Sequence, residues 1–163
     1  MPSSPKPERW PSAAGAIAIR RYAADDFDSL VAGWHATNRA SYPYVAEHQR
    51  HTLDDARAFF AQVLVPRCEI WVAHVDGDPC GLIAREKPWI RQLAVFPPWQ
   101  RRGVGGALLA AARAAAPGEL RLFTFRRNER ALAFYARHGF VRVAFGVSPA
   151  PESEPDVELR WVA

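Results

Sequence analysis

The sequence predicts an α/β fold built on one mixed sheet, and three observations carry the prediction. Hydrophobic periodicity alternates between two residues and about 3.6, giving the order strand, two helices, three strands, helix, strand, helix, two strands. A glycine-rich junction, Gln100-Arg101-Arg102-Gly103-Val104-Gly105-Gly106, stands where an apolar strand meets an alanine-rich helix. The 163 residues, 49% apolar and 23% charged, suffice for one domain with a full core and are few for two.

Residues 1–15 hold Pro2, Pro5, Pro7, Pro11 and several serines, so they read as a flexible leader, with residues 16–163 as the domain. Ala16–Tyr22 alternates as a first strand. Asp25 with Asp28 can box the start of a helix carrying Phe27, Leu30, Val31 and Trp34, which loosens near Asn38 to Pro43. Thr52 with Asp55 caps a second helix, apolar at Leu53, Ala56, Phe59, Phe60, Val63 and Leu64, and Pro66 ends it. Glu69–Val75 turns at Asp76-Gly77-Asp78 into Cys80–Glu86, a hairpin. Cys68 and Cys80 then lie about 20 Å apart at strand rise, beyond disulfide reach, and free thiols point to a reducing cytoplasm. No segment is long and apolar enough for a membrane span or signal peptide.

The strand through Ile90, Leu93, Val95 and Phe96 is closed by Pro97-Pro98. The next helix, Ala107 to Ala116, stops at Pro117-Gly118. Leu120–Phe125 is a strand, and Asn128 caps a helix over Glu129–His138 that Gly139 closes. Val141–Val147 and Val157–Val162 finish the sheet, with Ser148–Asp156 as a polar, mobile hairpin loop.

At the glycine junction the backbone can approach a ligand without a Cβ in the way. The first N–H groups of a helix lack internal partners and the dipole there favours anions. Arg101 and Arg102 add cations, so the junction reads as a phosphate cradle. A Walker loop would require Lys-Ser/Thr where Ala107-Leu108 stand. A dinucleotide fingerprint would require glycine at Leu108.

Gln100-x-x-Gly103-x-Gly105 after Leu93-Ala94-Val95, followed by Asn128-(x6)-Tyr135-x-x-x-Gly139-Phe140, resembles the acyl-coenzyme A segments of the GNAT superfamily of N-acetyltransferases. The resemblance runs from about Ile17 to the C-terminus. It implies a mostly antiparallel central sheet flanked by about four helices, with a splayed central strand pair. It also implies that main-chain groups of Leu93, Ala94 and Val95 pair with the pantetheine arm of acetyl-coenzyme A. Amides of Arg101, Arg102, Gly103, Val104, Gly105 and Gly106 would then hold its pyrophosphate, with Asn128 on the arm and Tyr135 beside the sulfur.

Acyl transfer to an amine needs a polarised carbonyl, a deprotonated amine and a departing thiolate. A central-strand N–H, at Val95, is expected to polarise the carbonyl, and Tyr135 to protonate the thiolate. Some relatives carry a base four residues before the Leu-Ala-Val position, where this chain has Trp89. That departure leaves Glu86, His48, His51 or a water relayed by Gln92. The first two helices and their joining loop are expected to form the acceptor pocket. Trp34, Tyr42, Trp89 and Gln92 are its candidate walls, with Asn38, Tyr44 and Glu47 nearby. Aromatic rings with a carboxylate suit a small cation.

The expected activity is therefore direct acetyl transfer, in a ternary complex, to a primary amine of a small molecule or peptide. A non-catalytic acyl-coenzyme A sensor is the alternative, prompted by the missing strand carboxylate. Net charge is +4, too little and too dispersed among Arg101, Arg102, Arg126, Arg127 and Arg130 to point to nucleic acid. No metal is expected, since His48-x-x-His51 lacks the i, i+4 spacing of a helical pair. The sequence leaves the oligomeric state open, a symmetric homodimer being the common arrangement for such folds.

Overall fold

The computed structural model describes residues 8–10 (as backbone), 16–115 and 118–163. One eight-stranded sheet runs in the order β1-β2-β3-β4-β5-β6-β8-β7. Its strands are β1 (Glu8–Trp10), β2 (Ile17–Arg21), β3 (Glu69–Val75), β4 (Asp78–Glu86), β5 (Trp89–Val95), β6 (Glu119–Phe125), β7 (Val141–Val147) and β8 (Pro155–Val162). Every neighbouring pair is antiparallel except β5 with β6. Of the stretch read as a leader, Glu8–Trp10 pairs with β2, and the remainder lies outside the described residues.

Five helices flank the sheet: α1 (Phe27–Ser41), α2 (Ala46–Arg50), α3 (Leu53–Phe59), α4 (Val104–Ala114) and α5 (Glu129–Arg137). The strands alternate their side chains between two cores. On β3, Ile70 and Val72 face Leu30, Val31, Phe60 and Leu64 of the α1/α3 layer. Trp71, Ala73 and Val75 face Leu108 and Ala112 of the α4 layer. The β3–β4 turn has Asp76 at φ 52° and Gly77 at φ 84°, the left-handed pair that a two-residue hairpin requires.

Several local expectations shift. Asp26, not Asp25, organises the start of α1: its carboxylate accepts from Ala23 N–H at 2.9 Å and from the Arg20 guanidinium at 2.5 and 2.7 Å. The Thr52–Asp55 capping box forms as read, with reciprocal bonds of 2.9 and 3.1 Å. Pro66 does not end the helix. After α3 the chain runs through a wide π turn, Phe60–Leu64, into a last turn, Val65–Arg67. The wider turn eases the clash between a proline ring and the carbonyl four residues back. Helix α4 starts at Val104 rather than Ala107, because Gly103 at φ 83° caps it. Its expected stop at Pro117 lies outside the described residues.

Arg85 is the largest fully buried side chain. Its guanidinium donates to the Ala112 carbonyl at 3.0 Å near the C-terminus of α4 and to Glu69 at 2.6 Å. A cation at that helix end complements the dipole and ties α4, whose N-terminus follows the glycine junction, to β4.

Candidate functional site

β5 and β6 are joined at one register pair, Trp89↔Arg121, and diverge beyond it. Trp89 stacks on Phe123 with ring centroids 5.1 Å apart and planes 6° from parallel, which pins the closed end of the V. Towards the open end, Phe96 N–H donates to Cys80 across to β4 at 2.9 Å. A Cβ at Gly81 would lie 2.6 Å from the Ala94 carbonyl oxygen, so Ala94 also faces β4. By alternation, Leu93 and Val95 turn their N–H and C=O groups into the opening. The Val95 carbonyl accepts from the Gln100 amide at 3.0 Å, which leaves the Val95 N–H facing the cleft.

Beyond Val95 the chain turns through Pro97–Trp99 into the glycine junction. Gln100 is extended, while Arg101 (φ 62°) and Gly103 (φ 83°) are left-handed. This alternation turns successive amides to one side, the geometry of an anion nest. Among the described residues no acceptor meets the N–H groups of Arg101 to Gly106; the first bond of α4 is Ala107 N–H to Gly103 at 3.1 Å. A Cβ at Gly105 would sit 3.2 Å from the Phe134 ring, so that glycine brings α4 close to α5. The space around Gly103 is open.

Leu93, Ala94, Val95, Gln100, Arg101 and the three junction glycines line one cleft of about 1110 Å³, with Val104, Asn128 and Tyr135 on its other walls. Asn128 caps α5, its Oδ1 accepting from Ala131 N–H at 3.2 Å. Tyr135 is buried, packed edge-on against Phe134 and Phe140, and burial, with Tyr42 nearby, pushes its phenol well above the usual range. Tyr42 lines the same cleft; burial first, then Tyr44 and Glu152, push it up to about 12. Both phenols therefore remain protonated at neutral pH.

A second cleft, of about 1050 Å³, is lined by residues of α1, α2 and α3 together with the parting ends of β5 and β6 and the adjoining β7. Trp34, Tyr42 and Gln92 line it, and Trp34 Nε1–H donates to Gln92 Oε1 at 3.2 Å. His48 also lines it, 3.3 Å from Glu152 and with its ring 5.0 Å from that of Tyr42. His51, with Glu47 at 3.1 Å, lines it too but is the more exposed of the two histidines, 46% against 17%. The two clefts share Asn38, Tyr42, Arg91, Gln92, Phe123 and Thr124, so they meet where the strands part.

Three sequence expectations are corrected. Glu86 lines neither cleft. Arg67 (2.9 and 3.0 Å) and Arg91 (3.2 Å) hold it as an ion pair at the end of β4, and the Arg67 hydrogen bonds, foremost, keep its carboxyl below the ordinary value. Trp89 is the pin of the V rather than a pocket wall. The Arg102 side chain lies over Trp99 at 5.2 Å, outside the cradle. Phe125 and Phe145 of the second cleft are missed by sequence reading, whereas Glu152 and Asp156, which also line it, come from the acidic loop Pro149–Asp156 that the sequence offers as a cover drawing cationic acceptors. Among the described residues, no group of His, Cys, Asp and Glu could hold a metal ion, and no helix is long and apolar enough to cross a membrane.

Comparison with known proteins bears on the fold and the family. The family model for the acetyltransferase (GNAT) domain matches residues 66–142. The peptidyl-lysine N-acetyltransferase YjaB of Escherichia coli (strain K12) is 30% identical over 125 residues, covering 76% of this chain and 82% of that protein. The solution structure of apo-form YjaB superposes with a TM-score of 0.74 at 27% identity, over 90% of this chain and 97% of that one. A putative streptothricin acetyltransferase from Bacillus anthracis str. Ames, solved in complex with acetyl coenzyme A, shares the fold at a TM-score of 0.54 and 23% identity, over 60% of this chain and 64% of that one.

Proposed function

The chain belongs to the GNAT acetyltransferase family, and from that premise we propose that it transfers the acetyl group of acetyl-coenzyme A directly to a primary amine in a ternary complex. One observation carries the reading: the run of unpartnered amides from Arg101 to Gly106 continues into the open edge of β5. Polar main chain left unpaired costs free energy unless a ligand or water completes it. An elongated ligand with a diphosphate at one end and amides along its arm matches that run.

Acetyl-coenzyme A supplies an activated thioester carbonyl. The protein's part is positioning and proton transfer. Junction amides hold the diphosphate, Leu93 and Val95 pair with the arm, and the Val95 N–H points where an oxyanion develops. The amine enters from the second cleft and must lose a proton to attack. His48, oriented by Glu152 at 3.3 Å, is the group placed to receive it. Tyr135 hydrogen-bonds the departing sulfur. YjaB carries the name peptidyl-lysine N-acetyltransferase, which makes an amine on an alkyl chain a reasonable first acceptor to try. The homodimer is also carried forward: a second copy would cover β7, where Val141, Val143, Phe145 and Val147 are all exposed at the sheet edge.

Isothermal titration with acetyl-coenzyme A, followed by thiol release in the presence of amines, tests the proposal. Saturable binding and amine-dependent thiol release are expected. Absence of binding refutes it, and tight binding with no release for any amine in a broad panel favours the sensor.

A further inference from the structure

The second cleft contains a carboxylate that has no partner among the described residues. Asp156, at the start of β8, is 7% exposed and lines that cleft. Among the described residues its side chain has no ion pair or hydrogen bond, whereas Glu152, on the same wall, is engaged by His48. Gly146 of β7 lies opposite it in register, and a Cβ there would come within 3.2 Å of Asp156 Oδ1. The glycine thus leaves room for the carboxylate. Arg126, whose N–H bonds Pro155 beside it, stacks its guanidinium on Phe145 at 5.0 Å instead of pairing with Asp156. The Asp156 oxygens meet only the cleft, and a carboxylate largely shielded from water is disfavoured in its charged form; burial, with Glu152 adding, raises its pKa. An incoming cation would relieve that cost.

Its position says which cation. Asp156 and its neighbours on β7 line the acceptor cleft alone, whereas Tyr42, Gln92 and Thr124 belong to the junction with the first cleft. The amine that reacts must be neutral at the junction, so a group held as a cation at Asp156 is a different one. The walls beside that carboxylate are aromatic: Phe125 is its register partner on β6, and the Tyr42 ring stands edge-on to Phe125 at 5.2 Å.

Resting on the acetyltransferase reading above, we propose that the acceptor is a dicationic amine, such as an alkyl diamine, whose distal ammonium binds Asp156 while its other amine reaches the junction. Asp156 is then the specificity-determining residue of this site.

The test compares 1,5-diaminopentane with n-pentylamine on the full chain. Wild-type protein is expected to show at least about tenfold higher kcat/KM for the diamine, one well-paired charge being worth about that much. Asp156→Asn should bring the two within about threefold, with acetyl-coenzyme A affinity unchanged. Since the variant removes an unpaired buried carboxylate, its melting temperature should hold or rise. Direct titration of the amines into cofactor-free protein gives a second readout with the same expected ranking. Equal use and equal binding of both amines by wild type, or a diamine preference that survives Asp156→Asn, overturns the proposal. Loss of acetyl-coenzyme A binding in wild type would instead refute the enzyme reading, and the amine titrations still decide the Asp156 site.

Discussion

Replacing Gly103 by alanine tests the cradle through a conserved sum of free energies. Gly103 sits at φ 83°, and a left-handed conformation costs a residue with a Cβ about 1–2 kcal/mol. A Cβ here would meet no protein atom within 4 Å, so the cost is purely conformational. It can appear in two places. If the loop keeps its shape, the free protein loses that stability, and at roughly 2–4 °C per kcal/mol for a chain of this size the melting temperature falls by about 2–8 °C. If the loop relaxes to negative φ, the free protein melts normally, but its amides no longer converge. The ligand must then restore them, and affinity drops by about 5- to 30-fold. In either case the saturated complex lies about 1–2 kcal/mol nearer to the unfolded chain. Thermal melts with and without saturating acetyl-coenzyme A, together with isothermal titration, measure both parts. A variant with wild-type affinity and a wild-type melting temperature when saturated would mean that the left-handed turn does not shape the ligand site.

Tyr135→Phe should lower kcat by about 100-fold or more with acetyl-coenzyme A affinity unchanged, read by steady-state kinetics and titration; an undiminished kcat would pass the sulfur-facing role to Tyr42. Glu86→Gln should leave kcat within about twofold while His48→Gln lowers it by about 100-fold, because the Glu86 carboxylate is held outside both clefts by Arg67 and Arg91. The reverse ranking in the same assay would return the base to β4. Asp26 should govern part of the acid limb of stability. Burial alone would raise its pKa, but the Arg20 fork and the Ala23 N–H hold it below the ordinary value. Its contribution is therefore complete above the ordinary carboxylate range and is lost as pH falls through the lower folded value, below about pH 4. Melting curves between about pH 2 and pH 5 should show a shallower slope for Asp26→Asn than for wild type.

What could be read from sequence was local in its physics. Asp76-Gly77 announces a tight hairpin because both residues tolerate positive φ, and the Thr52–Asp55 box is complete within four residues. The glycine junction is legible because a strand, a proline break and a helix surround it in order. The start of α4 was displaced because propensity penalises Gly105 and Gly106 as helix formers. Packing reverses that penalty, since a Cβ at Gly105 would press on Phe134. Glu86 is a carboxylate near the central strand in sequence, but its neutralising partner Arg67 comes from the far end of the preceding helical segment. Phe125 and Asp156 become neighbours through the β6–β8 pairing, a non-consecutive strand order that hydrophobic alternation does not encode.

The V between β5 and β6 also decides which substitutions can separate the two substrates. Tyr42, Gln92 and Thr124 face both clefts, so a change at any of them alters the thioester end and the acceptor end together. Trp89 acts one step earlier, since its stack on Phe123 sets where the strands begin to part and hence the width of both openings. Gly103 and Asp156 each line one cleft alone. Substitutions at these two should therefore move one binding constant at a time, and substitutions at the vertex should move both. The two clefts meet only because the sheet is held shut at Trp89 and open at Val95.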